Sequence, residues 1–597
     1  MQAAGPHERH RRRTCRRGGK IEPHATPVRS ALKLPSPAIV ADAAVRRLPR
    51  AALWLFCIAY VLAGFVGRGP WKSADATAFG TMQELVLGLS DWLEPQAAAQ
   101  HGGYDSLLPF WLGAGAMHLL PFLPADLASR LPFMALLALT LAGTWYAVYH
   151  LARSPQAQPV AFAFGGEANP RDYARALADA ALLALLACLG LAQLAHETTP
   201  ALAQLGFTAL LFYALAAGPQ QHGMRNAAVA ALALVGLALS GAPNVALLFG
   251  LGAGLIELWD RRHSARGWTL FGWSILIIAL ATASVLLAWL LGLWHWRVDT
   301  AQWGQAAAQK SLVNLLRLFV WFMWPAWPLA LWTLWQWRRQ LGNRHVALPL
   351  WFFFVVCVST LLTTASDRGL LLALPALACL AAFALPTLKR SVAALIDWFT
   401  LLFFSVCGLT IWVIWIALQT GVPQKPAANV ARLAPGFEAS FSLLALIVAV
   451  LASLAWAWLV KWRTGRHRSA LWKSLVLPAG GATLCWVLLM SLWLPLLDHA
   501  RGYQALVRQV ARHVDRQACV ETLGLSTAQS AALRYHADLQ LRVAQLQPQC
   551  PALVVDRQAQ ARLRSQLDPS LWTLVAAARR PTEKSDDLLI YRRSPRE

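Results

Sequence analysis

Long apolar runs alternate with short polar and basic stretches between residues 51 and 496. Many of these runs approach the ~20 residues that a helix needs to cross the hydrocarbon core of a bilayer. Thirteen of them predict transmembrane helices, at 51–67, 126–150, 177–195, 200–217, 227–241, 243–259, 269–293, 313–336, 347–365, 369–387, 396–419, 439–460 and 474–496. The runs at 227–241 and 243–259 are the weakest, and alternatively form one hairpin broken at Pro243. The pattern predicts an all-α polytopic membrane protein with about 13 transmembrane helices.

Positively charged residues gather in every second loop between the predicted spans. The clusters are Arg46, Arg47 and Arg50; Arg153, Arg171 and Arg175; Arg261, Arg262 and Arg266; Arg338, Arg339 and Arg344; Lys389 and Arg390; and Lys461, Arg463, Arg466 and Arg468. Because Lys and Arg are enriched in cytoplasmic loops, these loops and the N-terminus are predicted to be cytoplasmic. After an odd number of crossings, the C-terminal part is predicted to lie on the opposite, outer side.

The apolar stretch from Leu107 to Leu123 is predicted not to cross the membrane. It is short for a span and contains Pro109 and Pro121. Counting it as a crossing would also place nearly every arginine cluster on the outer side. We interpret it as a juxtamembrane or re-entrant helix that ends a long first outer loop, 68–125.

Composition narrows the choice of partners. The chain has 597 residues, of which 57% are hydrophobic and 14% charged, and its mean hydropathy is +0.45. A net charge of +24 would suggest nucleic acid as a partner of a soluble chain. Here the excess lies in short loops and in residues 1–45, so we expect membrane lipids and no nucleic acid. Residues 1–45 lack an apolar period, which predicts a disordered, basic cytoplasmic tail.

The character of the chain changes after residue 497, where 100 mostly polar residues follow. Helices are predicted near 500–514 and 526–536, and strands at Ala552–Val555 and Leu588–Tyr591. These elements predict a small α/β domain, 498–597, after a membrane domain, 46–497. Cys519 and Cys550 both fall in this domain, where a disulfide can persist outside the cytosol. The sequence leaves open whether the two are joined, because it does not give their separation.

Two carboxylates stand just past the outer ends of predicted spans. Asp75 lies in the first outer loop, and Glu197 lies in the second, within His196-Glu197-Thr198-Thr199-Pro200. Carboxylates at one membrane face are suited to chemistry on a lipid-linked substrate, although a loop acid can also be merely solvated. We take Asp75 and Glu197 as the candidate catalytic residues.

Several short stretches, in order, resemble a known family. They are Gly69–Gly80, Asp91-Trp92-Leu93-Glu94-Pro95, Leu108–Ala114, Ala128–Pro132, and Arg368 with Leu374–Ala378. Together they resemble the GT-C superfamily of integral membrane glycosyltransferases, in particular the branch of aminoarabinose transferases and protein O-mannosyltransferases. The resemblance implies a GT-C-like membrane domain with a periplasmic C-terminal domain. It also implies residence in a bacterial inner membrane.

The resemblance implies an inverting glycosyltransferase. Such an enzyme moves a sugar from a polyprenyl-phosphate donor to a lipid, glycan or protein acceptor at the periplasmic face. In this branch the position of Asp75 activates the acceptor, and Glu197 corresponds to a second carboxylate that orients acceptor or sugar. The chemistry agrees, because a sugar on a phosphate already has a good leaving group and one base suffices.

The remaining candidates are substrate-binding residues. Arg368, in an outer turn on the side of Asp75, is the leading candidate to hold the departing phosphate, whose negative charge grows during transfer. Lys72 is a further candidate, and Arg297 and Arg317 are alternatives to it. Additional substrate contacts are assigned to His196, which can also bind a metal or be solvated, to Tyr104, and to Trp294, which can stack on a sugar or belong to an interfacial belt.

The chain also departs from the family pattern. Two lysines are absent: one from the first loop, where Tyr104-Asp105-Ser106 stands, and one from the stretch that here reads Ser240-Gly241-Ala242-Pro243-Asn244. Specificity for aminoarabinose therefore does not follow. No zinc-ligand spacing and no phosphate-binding glycine loop is present, so no obligatory cofactor or metal is expected, although family members can carry a divalent metal.

Two other functions fit the same topology. A transporter or flippase of lipid-linked sugars would carry ionisable residues within its spans and show repeat symmetry, and neither is evident. A non-catalytic polyprenyl-lipid-binding envelope protein is the other alternative, and the missing lysines favour it over the flippase.

Overall fold

Residues 36–95, 105–221, 223–261, 267–294, 305–362, 367–464, 470–561, 567–580, 582–583 and 587–594 are described by the structure, a computed structural model. Most of the predicted N-terminal tail thus falls outside the described residues. Its last ten residues, 36–45, are packed: Ala38, Val40 and Val45 are buried, and the carbonyls of Ala38 and Val40 accept backbone hydrogen bonds from the 160–168 segment. These apolar side chains explain why the packed chain begins before the predicted boundary at residue 46.

Helices make up most of the described chain. In order they are α1 (Arg50–Phe65), α2 (Ala74–Val86), α3 (Leu108–Leu119), α4 (Ala125–Ala152), α5 (Pro170–Ala187), α6 (Leu189–Leu194), α7 (Pro200–Ala217), α8 (Met224–Leu239), α9 (Pro243–Arg261), α10 (Gly267–Leu290), α11 (Gln305–Phe322), α12 (Ala326–Gln336), α13 (Arg344–Leu362), α14 (Asp367–Leu370), α15 (Leu374–Ala384), α16 (Arg390–Thr420), α17 (Gln424–Leu433), α18 (Leu443–Thr464), α19 (Lys473–Leu492), α20 (Leu494–Arg501), α21 (Gln504–Ala511) and α22 (Thr527–Ala537).

Every predicted span coincides with one helix or with consecutive helices. In the described residues, eight helical segments are long and apolar enough to cross a membrane, or nine if the bent pair α11–α12 is one span. The other predicted spans correspond to the shorter apolar helices α1, α8 and α9 and to α5, whose residues from Tyr173 onward are almost all buried. The prediction of an all-α polytopic membrane protein is confirmed.

One predicted span is wrong as a straight helix. The run 313–336 is broken after Phe322, and the axes of α11 and α12 differ by 98°. Pro325 stands immediately before α12. Proline lacks an N–H and disfavours helical geometry in the residue before it, so an apolar run can continue through a point where the helix cannot.

The described residues of the first outer loop, 68–95 and 105–125, contain two short helices. Helix α2 has 13 residues and carries Asp75 in its first turn. Helix α3 has 12 residues, which at ~1.5 Å per residue gives about 18 Å, well short of a ~30 Å hydrocarbon core. As predicted, the Leu107–Leu123 stretch therefore does not provide a span.

The polar C-terminal region contains a five-stranded sheet. Its strands are β1 (Val520–Leu523), β2 (Leu541–Val543), β3 (Ala552–Asp556), β4 (Trp572–Arg579) and β5 (Asp587–Arg593), in the order β2-β1-β3-β5-β4. Strand β1 is parallel to β2 and β3, and β5 is antiparallel to β3 and β4. Val520, Val554 and Ile590 pack with α21 and α22 on one face of the sheet. The predicted α/β fold of this region is confirmed.

A disulfide joins Cys519, next to β1, to Cys550, next to β3. The two half-cystines are 31 positions apart in sequence. Closing a loop of this length removes disorder from the unfolded chain and stabilises the domain by about 3–4 kcal/mol in the chain-entropy model. The structure thus resolves the pairing that the sequence left open.

Candidate active site

Asp75 is buried and saturated with hydrogen-bond donors. Only 1% of its surface is exposed. Its Oδ1 atom accepts hydrogen bonds from the backbone N–H and the hydroxyl of Thr198, both at 2.7 Å. Its Oδ2 atom accepts a hydrogen bond from the backbone N–H of Trp71 at 3.1 Å and pairs with the guanidinium of Arg68 at 3.1 Å. Four donors thus fill the roughly four lone-pair positions of an ionised carboxylate.

Two buried arginines surround this carboxylate. Arg68 also donates to the backbone carbonyl of His196, next to Glu197. Arg130, in α4, donates to the backbone carbonyls of Phe65 and Arg68 and pairs with Asp126 at 3.3 Å. We call Asp75, Arg68, Arg130 and Thr198 the Asp75 cluster. Backbone carbonyls anchor both of its arginines, so its charges are held in fixed positions.

Glu197 lies in the loop between α6 and α7 and is equally buried, with 1% exposed. Its Oε2 atom pairs with Nη2 of Arg368, in α14, at 2.7 Å. Its Oε1 atom accepts a hydrogen bond from the side chain of Gln193 at 3.3 Å. One third of the Arg368 side chain is exposed, and within the described residues its buried Nε atom has no hydrogen-bond partner. We call Glu197 and Arg368 the Glu197 pair.

The Asp75 cluster and the Glu197 pair are neighbours. Thr198, which holds Asp75, directly follows Glu197 in the chain. The structure therefore brings together Asp75, Glu197 and Arg368, three residues from three separate loops.

The two carboxyl groups have pKa shifts of opposite direction. Burial raises the pKa of Asp75, but Arg68, Arg130 and the hydrogen bonds from Thr198 outweigh burial and lower it below its ordinary value. Burial also raises the pKa of Glu197, and there it prevails over Arg368, with the negative charge of Asp75 adding to the rise. Two carboxyl groups whose pKa values are pushed apart are suited to different roles.

Lys72 faces the C-terminal domain. Its ammonium group pairs with Glu583, and its backbone N–H donates to the carbonyl of Arg501 at 2.9 Å. Its neighbour Trp71 is sandwiched by cations, with the guanidinium of Arg68 4.6 Å and that of Arg501 5.5 Å from the ring centroid. Arg501 is exposed, and its guanidinium interacts electrostatically with Glu197 and Arg68. It is a second candidate to hold a phosphate.

His196 is held entirely by the protein. Its two ring nitrogens face the backbone carbonyls of Ala192 and Tyr60, the latter at 2.9 Å. The ring packs against Tyr60, Phe65 and Trp486. Burial lowers the pKa of His196 to about 4, despite both carbonyls, so the imidazole is neutral near pH 7. A neutral imidazole has one N–H and donates to only one of the two carbonyls, but both nitrogens are directed at the backbone, which does not suit a metal ligand.

The other predicted contacts fall elsewhere. Tyr104 and Arg297 lie outside the described residues. Trp294 is partly buried beyond the end of α10, and Arg317 is exposed on α11; none of the contacts described above involves either. Among the residues described, no group of three or more His, Cys, Asp or Glu side chains is placed to hold a metal ion.

Sequence reasoning missed Arg68, Arg130 and Thr198. Arg68 follows the first span directly, and Arg130 lies at the start of the second, so both resembled ordinary loop or interface arginines. The predicted topology could have identified Arg68 and Arg130, because it places both on the outer side of the membrane. Arginine is sparse in the outer loops, and a cation at the outer end of a span needs a partner.

Solved structures resemble the chain over nearly its whole length. ArnT from Cupriavidus metallidurans bound to undecaprenyl phosphate aligns with a TM-score of 0.59 at 14% identity, covering 91% of this chain and 98% of that chain. The fold is that of ArnT. The apo form of ArnT aligns with a TM-score of 0.58 at 15% identity and equal coverage. The predicted fold class, a polytopic helical membrane protein with a small C-terminal α/β domain, is confirmed by these alignments. A scan against protein-family models and a search of curated proteins find no match to the sequence.

Proposed function

We propose that the protein is a membrane glycosyltransferase that moves a sugar, with inversion, from a polyprenyl-phosphate donor to a lipid, glycan or protein acceptor. The observation that carries the proposal is that the buried carboxylates Asp75 and Glu197 and the partly exposed Arg368 form one connected set of charges within an ArnT fold. One ArnT structure of this fold holds undecaprenyl phosphate, a lipid of the proposed donor class.

Arg368 is suited to hold the donor phosphate. It is the partly exposed member of the Glu197 pair, and its Nε atom is unpartnered within the described residues. A fixed guanidinium stabilises the charge that grows on the phosphate as the glycosidic bond breaks. Arg501, which is also exposed and lies beside Trp71, can add to the positive field.

The contacts support Glu197, rather than the predicted Asp75, as the proton acceptor. Asp75 has four donors on its two oxygens and a lowered pKa, which makes it a poor base. Glu197 has two described partners and a raised pKa, and a general base works best with a pKa nearer the working pH. Asp75 then serves as a fixed negative charge that orders Arg68, Thr198 and the acceptor.

The proposed step is a single displacement. The donor phosphate attracts Arg368 away from Glu197, which frees Oε2 at the moment the donor is in place. Glu197 takes the proton of the acceptor hydroxyl, and the acceptor oxygen bonds to the anomeric carbon. The bond from that carbon to the phosphate oxygen breaks, and its electron pair leaves with the polyprenyl phosphate.

We also propose that the reaction takes place at the periplasmic face of a bacterial inner membrane. The basic loops support a cytoplasmic N-terminus. The Cys519–Cys550 disulfide supports a C-terminal domain, 498–597, in an oxidising compartment, which for a bacterial inner membrane is the periplasm.

Mass spectrometry of envelope lipids and glycans tests the proposal. We would compare cells with the wild-type protein, with none, and with Glu197→Gln or Asp75→Asn at matched protein levels. A sugar-sized mass that disappears in the deletion and in Glu197→Gln supports transfer and reveals the acceptor. If the deletion changes the envelope but neither substitution does, the protein is a transporter or a lipid-binding protein instead.

A further inference from the structure

Helix α22 of the C-terminal domain lies directly against α2, the helix that carries Asp75. A Cβ atom added to Gly80 would stand 2.3 Å from Cβ of Ala531, so the two helices meet at the smallest separation their side chains allow. Glycine inside a helix costs about 1 kcal/mol relative to alanine. The close approach to α22 gives a physical reason for Gly80 in the middle of α2.

Two further contacts flank this point on the same pair of helices. The rings of Phe79 and Tyr535 meet edge to face, with centroids 4.8 Å apart. Glu84, near the end of α2 and 5% exposed, pairs with Arg534 at 2.5 Å. Ala76, one residue after Asp75, belongs to the apolar core of the C-terminal domain. Helix α2 therefore has part of its packing surface outside the membrane domain.

A second connection runs from α22 to Asp75 through Asp126. Tyr535 lies close enough to the carboxylate of Asp126, at the start of α4, for that negative charge to add to burial in raising the pKa of the Tyr535 hydroxyl to about 12. Asp126 pairs with Arg130, and Arg130 donates to the backbone carbonyl of Arg68. Arg68 in turn pairs with Asp75.

A third connection holds the segment before α2. Asp498, in α20, accepts hydrogen bonds from the backbone N–H of Gly69 at 3.0 Å and from the indole N–H of Trp71 at 2.7 Å. Trp71 is the residue whose backbone N–H binds Asp75. Lys72, next in the chain, pairs with Glu583 of the C-terminal domain.

We propose that α22 is a positioning element of the active site: by docking on α2 it fixes the placement of Asp75, Arg68 and Trp71 on which transfer depends. The inference rests on the proposed function for its catalytic consequence, although docking itself can be measured without it. The physical reason is the length of α2. Helices shorter than ~12–15 residues are marginal on their own, so a helix of 13 residues depends on the surfaces that cover it. In this reading Arg534, Ala531 and Tyr535 are positioning residues that touch no substrate.

The test is a charge exchange at the contact between the helices. Arg534→Glu and Glu84→Arg each place like charges together, whereas the double variant restores an ion pair with reversed polarity. Ala531→Leu separates the helices without altering charge. Arg542→Glu is the matched control, because Arg542 is an exposed arginine of the same domain, on β2. All variants are made in the full-length protein, in lipid nanodiscs.

Two readouts are required. The first is amide hydrogen exchange of residues 74–86, which reports docking whether or not the protein transfers a sugar. The second is turnover, with kcat and the donor KM measured separately. A misplacement of ~1 Å can cost about 100-fold in rate, so we expect each single variant and Ala531→Leu to lower kcat at least tenfold. The donor KM should be unchanged, because Arg368 is untouched.

Faster exchange in 74–86 with reduced kcat, both reversed in the double variant and absent in Arg542→Glu, supports the proposal. Unchanged exchange in Arg534→Glu and Ala531→Leu overturns it, as does faster exchange with full turnover. If hydrogen exchange responds as expected but the wild-type protein transfers no sugar to any acceptor, the docking of α22 on α2 is supported and the proposed function is contradicted.

Discussion

Asp75 and Glu197 are equally buried carboxylates in neighbouring loops, yet their surroundings give them opposite properties. Asp75 is held by four donors, one of them the guanidinium of Arg68, and with the nearby charge of Arg130 they lower its pKa. Glu197 shares one partly exposed arginine and one glutamine, and its pKa is raised. Burial alone would have raised both, so the number and fixity of the partners decide the outcome. The same carboxyl chemistry thus suits the anchor that we propose for Asp75 and the base that we propose for Glu197.

The largest expected effect is on the rate of transfer, which should depend most strongly on the proposed base, Glu197. Glu197→Gln should lower kcat about 10²–10⁴-fold, the usual contribution of a general base. Its unfolding midpoint should change little, because Arg368 keeps solvent access. Steady-state transfer assays with thermal unfolding of the same preparation measure both. Turnover near the wild-type level would remove Glu197 from the proton-transfer step and return that role to Asp75.

Asp75→Asn should act mainly on stability. It leaves the buried guanidinium of Arg68 without the carboxylate that pairs with it, and breaking such a pair costs about 3–5 kcal/mol. We expect a marked fall in the unfolding midpoint, together with lost turnover. Glu197→Gln, examined in parallel, is the control of equal burial. A midpoint for Asp75→Asn as high as that of Glu197→Gln would contradict the anchor role.

The pH dependence of kcat/KM sharpens the comparison further. A base must be deprotonated, so activity should fall as pH drops through the raised pKa of Glu197, above the usual range of a glutamic acid. Arg368 lowers this pKa, so Arg368→Gln should move the acidic limb to higher pH. Arg542→Gln, at an exposed arginine on β2, is the matched loss of a cation. If the acidic limb of the kcat/KM profile lies at the same pH in Arg368→Gln as in the wild-type protein, a group other than Glu197 produces it.

The smallest expected effect is on stability, from the loss of one hydrogen bond to Asp75. Thr198→Val removes the hydroxyl donor to Asp75 but keeps the backbone donor. We expect a loss of about 1 kcal/mol in the free energy of unfolding. Thr199→Val is the control, because its buried hydroxyl has no hydrogen-bond partner within the described residues. Equal losses in both variants would mean that the bond to Asp75 contributes nothing specific.

Apolar length was enough to locate the helices of the predicted spans. Asp75, Glu197 and Arg368 were singled out by their positions in the outer loops together with the family resemblance, and their roles in transfer stay predictions. The spans can be recognised in the sequence because the thickness of the bilayer sets the length of their apolar runs. Asp75, Glu197 and Arg368 can be recognised because they lie in segments that contain few ionisable residues. The bend between α11 and α12 was not predicted, because the hydropathy of an apolar run does not report the direction of the helix axis.

The partners that tune the site could not be read from the sequence. Arg130 reaches Asp75 only through the carbonyl of Arg68, 62 positions earlier in the chain. Glu84 and Arg534 are 450 positions apart, and neither pattern nor composition links them. Local patterns identify which residues can ionise, but their pKa shifts depend on contacts between distant segments.

The ion pair between Glu84 and Arg534 also has a consequence for biosynthesis. The chain from Glu84 to Arg534, 450 positions later, takes roughly 20–90 s to synthesise at 5–20 residues per second. During that interval the helix bearing Asp75 has been made, but the surface that covers it has not. If docking is required for transfer, a truncated or half-inserted chain is inert. The last helix to emerge would then act as a checkpoint that withholds activity until assembly in the membrane is complete.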